Sequence, residues 1–255
     1  MTDDGSGNRE RAIGALAGRE YERAGDEYTR AAWHRLAAPR DDQSPFEADE
    51  KGWVGAGLQF VCVAGIAYRV AGRDARATRR GVEGVAVAKD LKQGLDQPVQ
   101  RACLDEFVAD FRAVGDMSGV AEAYEDAESA YEAAGDSVDS PQAVGTTPLF
   151  DAAAGPIKQV ARSLDNGEIA IKWEDLHGSD PADAGAFLAH RASYKRRRFP
   201  SLVERVVESG YLAAPRGTTE YNNDNHRCPA CESTDVNWAG GNTLCMRCST
   251  PVERR

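Results

Sequence analysis

The sequence predicts a mainly α chain: an array of helical hairpins, then a small α+β segment, then a C-terminal ribbon tied by cysteines. Three observations predict it. Small and apolar residues recur at three- and four-residue steps through most of residues 9–136. Gly25, Gly72 and Gly115 punctuate that pattern at intervals of 47 and 43 residues. Two C-x2-C pairs, Cys228/Cys231 and Cys245/Cys248, stand near the end.

Composition sets the frame. The 255 residues are 42% hydrophobic but only 7% aromatic, which favours closely packed small-residue helices over aromatic-rich sheets. The net charge is −10, and its distribution is uneven. Residues 1–147 carry 27 acidic and 17 basic side chains, whereas residues 148–255 carry 14 of each. The second part is therefore the relatively basic one, a charge asymmetry that can mark a partner surface. Only six lysines accompany 25 arginines. High acidity with little lysine resembles the proteins of salt-loving archaea, in which carboxylates keep the surface hydrated; an ordinary acidic protein is the alternative.

No apolar run reaches the roughly 18–20 residues of a membrane span. The longest, Leu58 to Val70, contains Gln59 and Arg69. The acidic start Met1-Thr2-Asp3-Asp4 lacks a leader pattern, so a cytoplasmic chain without a span is expected.

Residues 1–8 read as a disordered tail. A helical pattern runs from Arg9 to about Ala38, interrupted at Gly25-Asp26, and Pro39 opens a polar loop to residue 52. A second stretch starts near Trp53, turns at Gly72-Arg73-Asp74 and continues to about Lys92. A third starts after Pro98, turns at Gly115-Asp116 and ends near Ala134. A turn glycine suits each site because helix ends commonly need a left-handed residue. "YERAGDEYTRAA" (21–32) and "AEAYEDAESAYEAAGD" (121–136) resemble tetratricopeptide-like arrays. The long period is closer to the soluble NSF-attachment-protein branch. The resemblance implies stacked hairpins over residues 9–136 and a protein-binding surface. A plain helical bundle is the alternative.

Residues 137–148 read as a linker. In 149–222, a helix at 149–164 precedes the turn Asp165-Asn166-Gly167 and a short strand around 169–173. Ser179 or Asp180 can cap a helix from Pro181, and another helix follows Pro200. "LVERVVESGYLAAPRGTTEY" (202–221) is similar to the last helix and wing of winged helix-turn-helix domains. The resemblance implies a helix in a nucleic-acid groove, a basic surface at Lys195, Arg196, Arg197 and Arg198, and Arg216 at the wing tip. Pro200 departs from that pattern. Winged helices also serve as pure protein-interaction modules.

In 223–255, the two cysteine pairs are 13 residues apart, and each can aim two sulfurs at one point. Val236-Asn237-Trp238 and Thr243-Leu244-Cys245 can pair across Ala239-Gly240-Gly241-Asn242. This resembles a zinc ribbon, which implies one structural Zn2+ on Cys228, Cys231, Cys245 and Cys248. A rubredoxin-like iron site is the rival, but Glu232 and Ser249 stand where its knuckles usually place glycine. Four protein ligands leave no open position for water, so the site is expected to hold structure. Arg227, Arg247, Arg254 and Arg255 frame it and suit nucleic acid or an acidic protein surface, although plain solubilising charge fits equally. His226 is placed to neighbour the thiolates. Cys62 and Cys103 lie on apolar helical faces and read as core residues.

The sequence holds no P-loop, dinucleotide glycine pattern or nucleophile elbow. The expected function is a non-enzymatic adaptor binding a protein partner through the helical array. The alternative is a nucleic-acid-binding regulator using 149–222 and the ribbon. An enzyme would need a pocket that the motifs do not reveal. Oligomeric state has no signature in the sequence.

Overall fold

Consecutive antiparallel helices dominate the computed structural model, which describes residues 6–37, 52–164 and 171–252. They are α1 (Ser6–Ala17), α2 (Tyr21–Ala37), α3 (Gly52–Val70), α4 (Asp74–Gln93), α5 (Pro98–Val114) and α6 (Val120–Ala134). Each packs on the next in chain order. Then come α7 (Pro141–Gly145), α8 (Pro148–Arg162), α9 (Trp173–Leu176) and α10 (Ala184–Ser209). α8 lies on α3, and α10 lies along α6 and α5. A three-stranded antiparallel sheet, ordered β1 (Thr218–Glu220), β2 (Val236–Ala239), β3 (Asn242–Cys245), ends the fold.

The expected helical hairpins form, but two turns are built differently. The first break falls at residues 18–20, not at Gly25-Asp26, and the left-handed residue there is Arg19 (φ 59°). Gly25 lies inside α2, where an added Cβ would sit 2.6 Å from the Tyr68 ring. Gly72 behaves as expected, with φ 67° and the Arg73 N–H reaching back to the Tyr68 carbonyl. At the third turn Asp116 takes the left-handed conformation (φ 52°), not Gly115. Gly115 is needed for another reason: its Cα lies 2.8 Å from where a Cβ on Gly81 would stand. These corrections remove the even glycine period.

Gly81→Ala is therefore expected to destabilise the protein by about 1–3 kcal/mol, because the obstacle is backbone. In an uncrowded helix the same change stabilises by about 1 kcal/mol. Thermal denaturation reads the sign.

α3 differs from its sequence reading. It extends back to Gly52, and its 19 residues are long and apolar enough to cross a membrane by length and composition. Burial inside the fold covers 67% of that window, between α2, α4 and α8.

Residues 6–8 of the expected tail begin α1. The expected linker 137–148 folds into a 3-10 turn and α7, with Pro141 and Gly145 buried. The expected turn at 165–167 and residues 169–170 of the expected strand lie outside the described residues; Ile171 and Lys172 are not strand, and Trp173 opens α9.

The winged-helix order does not form in the described residues. α10 is one helix that runs through Pro200, capped by Asp183, whose carboxylate accepts the Ala186 N–H at 3.0 Å. A proline removes one helical N–H, but the apolar stripe Phe199, Leu202, Val203 and Val206 stays buried across it. Residues 211–217 are not a strand, and β1 pairs with β2 of the ribbon instead of with a wing partner.

That 211–217 segment is an extended strap between the helices and the ribbon. Leu212, Ala213 and Ala214 are buried, so their backbone groups need internal partners. The Ala213 N–H donates to Ser163 Oγ and its carbonyl accepts from Gln159 Nε2. The Ala214 N–H donates to Ser249 Oγ, and the Pro215 carbonyl accepts from Asn237 Nδ2. One side of the strap is thus bonded to α8, the other to the ribbon.

Candidate metal centre

β2 and β3 form the predicted hairpin, with Val236 opposite Cys245 and Trp238 opposite Thr243. Gly240 and Gly241 both have positive φ (52° and 69°), as a two-residue hairpin turn requires. The turn sits on α1. A Cβ on Gly240 would meet Ile13 Cδ1 at 2.6 Å, and Asn242 Nδ2 reaches the Glu10 carbonyl at 3.5 Å. Ala239 and Leu244 join the main helical core. The ribbon's separate buried cluster is only Cys228, Cys245 and Val252, with Cys248 against it.

The two cysteine knuckles are the same structure, repeated 17 residues apart. The Cys228 N–H donates to the Ser233 carbonyl at 2.8 Å, and the Cys245 N–H to that of Thr250 at 2.8 Å. Glu232 and Ser249 return their N–H groups to the Cys228 and Cys245 carbonyls, each at 3.0 Å. Both adopt left-handed backbone, φ 61° and 54°. Ala230 and Arg247 each direct an N–H at the first sulfur of their pair, at 3.4 Å. Such donors favour thiolate.

The four Sγ atoms converge. Cys228 to Cys248 and Cys231 to Cys245 are each 3.5 Å, and Cys231 to Cys248 is 3.7 Å. A tetrahedron with metal–sulfur bonds of about 2.3 Å has edges of about 3.8 Å. A disulfide needs about 2.05 Å, so these are not bonded pairs. The set can hold one metal ion such as zinc. Hydrogen bonding with Cys245, then with Thr250, pulls the Cys248 thiol down to about 4. The contact with Cys248, together with burial, pushes Cys245 well above the thiol range. A divalent cation removes that conflict because it favours thiolate at all four positions. His226 bonds Asn223 Oδ1 and meets the Trp238 ring edge-on, so no cysteine sulfur is among its described partners.

The expected basic surface breaks up. Lys195 is fully buried; its Nζ lies 2.5 Å from Asp110 and 2.8 Å from Glu106. Arg196 is paired with Glu125 and Glu128. Arg197 and Arg198 are exposed, as is Arg216. One helical run thus points its four cations in different directions, because α10 buries Arg191, Lys195 and Phe199 on its α5-facing stripe.

That stripe carries a feature the sequence reading missed. Glu106 and Asp110, one turn apart on α5, face Arg191 and Lys195, one turn apart on α10. Arg191 donates to both Glu106 oxygens at 2.8–3.0 Å and to the Phe150 carbonyl. Tyr131 donates to Glu106 and Tyr124 to Asp110. Glu106, Asp110 and Lys195 are 0% exposed and Arg191 2%, and none of their side-chain polar atoms lacks a partner. Cys62 and Cys103 are buried core residues, as expected. An acid pair inside the apolar run of α5 was the available signal, since buried carboxylates demand internal cations.

No family model, curated protein or solved structure matches the chain.

Proposed function

We propose that this chain is a non-enzymatic adaptor: the helical body binds a protein partner, and one zinc ion braces the ribbon against it. The observation that carries the reading is a groove of about 570 Å³ between α2 and α4, floored by Tyr68 of α3. Arg76 stacks over the Tyr68 ring at 4.3 Å, and Trp33, Arg79 and Arg80 line the walls. Aromatic rings beside arginines are the composition of interface hot spots. Arg76 pairs with Glu22 and Asp26, and Arg79 and Arg80 with Glu83, so a partner's carboxylates would join or replace these pairs on the arginine forks. Zinc is preferred to iron because left-handed Glu232 and Ser249 occupy the positions where rubredoxin knuckles place glycine. A second reading, nucleic-acid binding, rests on exposed Arg197, Arg198 and Arg216, with Tyr221 60% exposed nearby in the sequence.

The test uses the purified full chain as bait in native extract at molar potassium chloride. A specific protein retained by wild type and lost with Arg76→Glu/Arg79→Glu supports the adaptor. Identical retention by both chains contradicts the groove. Nuclease-sensitive capture that Arg197→Glu/Arg198→Glu abolishes favours the second reading.

A further inference from the structure

Where α8 passes the strap, cations gather without matching carboxylates among the described residues. A cleft of about 320 Å³ opens there between α3, α8 and residues 215–216. Lys158 and Arg162 enter it from α8, Arg216 from the strap and Gln59 from α3.

The charge balance is unusual for this molecule. Arg69, Arg80, Arg191 and Lys195 are buried, and each has a carboxylate within 3 Å. Arg162 is partly buried, yet its described partners are two backbone carbonyls, Lys158 at 3.3 Å and Ala214 at 3.4 Å. Arg216 has no hydrogen bond or ion pair among the described residues. The cleft's one acid among the lining residues, Asp151, is 74% exposed and reaches only Lys158, at 3.4 Å. Burial and the neighbouring Arg216 charge hold the Arg162 guanidinium down at about 10, so it stays charged at neutral pH. Two such groups sharing a cleft repel each other, and a bound anion relieves both.

The donor set indicates which anion. Two planar forks match a tetrahedral oxyanion in a way that a spherical chloride cannot use. An ammonium and an amide add point donors. The volume sits at the small end of ligand pockets, enough for a phosphate and a modest attached body.

We propose that this cleft binds a dianionic phosphate group, free or as a small phosphomonoester, through Arg162 and Arg216 with Lys158 and Gln59 in support. The partner-binding groove plays no part in it, so the two readings stand or fall separately.

Isothermal titration calorimetry of the full chain, at fixed molar potassium chloride, tests it with inorganic phosphate and adenosine monophosphate. Saturable one-site binding of either probe is expected. Arg216→Gln is expected to weaken it at least about tenfold, the loss of one charge-assisted contact. Arg162→Gln should weaken it further. Arg162 also bonds the strap, so exposed Arg216 provides the decisive variant. Stronger binding of adenosine monophosphate assigns the site to a phosphomonoester, and equal binding assigns it to free phosphate. Absence of saturable binding by both probes overturns the proposal, as does unchanged binding by Arg216→Gln. Arg216-sensitive binding of RNA with both small probes silent also overturns it, in favour of a polynucleotide.

Discussion

Stripping the metal, or replacing Cys245 with Ser, releases the ribbon and the strap while α2 to α6 stay folded. The reason is the size of the ribbon's own core. The ribbon's separate cluster has three buried residues, two of them candidate metal-ligating cysteines, too few to hold 25 residues in place, so on this reading a bound ion supplies the missing free energy. Structural zinc typically provides on the order of 10 kcal/mol or more, and all of it is folding energy for such a unit. Losing one thiolate from a closed site forfeits most of that. The damage should spread along the described contacts. The Ala214–Ser249 and Asn237–Pro215 hydrogen bonds break, and Ile13 of α1 loses its cover from Gly240. Hydrogen exchange by mass spectrometry is the readout. Peptides from 211–252 and from α1 should lose protection, and peptides from α3 and α5 should not. Uniform loss across every helix would mean that the ribbon supports the whole body. No loss anywhere would mean that the ribbon folds without metal.

The second large effect lies in the buried ion network. Glu106→Gln removes the charge that compensates Arg191 and is expected to cost about 3–5 kcal/mol. For a chain of this length that lowers Tm by on the order of 10 °C. Pairing it with Arg191→Met should recover part of the loss, because the orphaned cation is removed too. The pH dependence has a definite sign. Burial raises the Glu106 carboxyl, but the Arg191 and Lys195 charges outweigh burial and hold it at about 2. A depressed carboxyl contributes stability above its unfolded value, lost as pH falls through the folded one. The gap between wild type and Glu106→Gln should therefore be full at neutral pH and close as pH falls from about 4.5 toward 2. Asp110 works the other way: burial outweighs Lys195 and lifts it to about 6. Thermal melts of both chains across this range check the Glu106 statement, and a gap that widens in acid would contradict it.

The candidate metal site was legible because its cysteine spacing is a covalent fact of the sequence. Two C-x2-C pairs and a Gly-Gly turn marked both the cysteine cluster that can hold a metal and the hairpin between its halves. The helices were legible too, since their small-residue periodicity is local. What failed was information carried by the partner surface. Gly25 looks like a turn, but its lack of a side chain serves the Tyr68 ring from α3. The real first turn uses Arg19, a residue that no glycine rule selects. Lys195 looked like part of a solvated run until α5 supplied two carboxylates for it. The strap read as part of a wing, yet its backbone bonds are taken by Ser163, Gln159, Ser249 and Asn237. Gly25, Lys195 and the strap each depend on residues more than 20 positions away.

The central claim is that Cys228, Cys231, Cys245 and Cys248 form one closed metal centre that fastens the ribbon to the helical body. Metal analysis of the purified full chain beside Cys245→Ser tests it most directly. The account predicts one zinc per wild-type chain, no visible absorption, and loss of that zinc together with tail protection in the variant. A folded, protected ribbon without metal would contradict it, and so would an iron–thiolate chromophore.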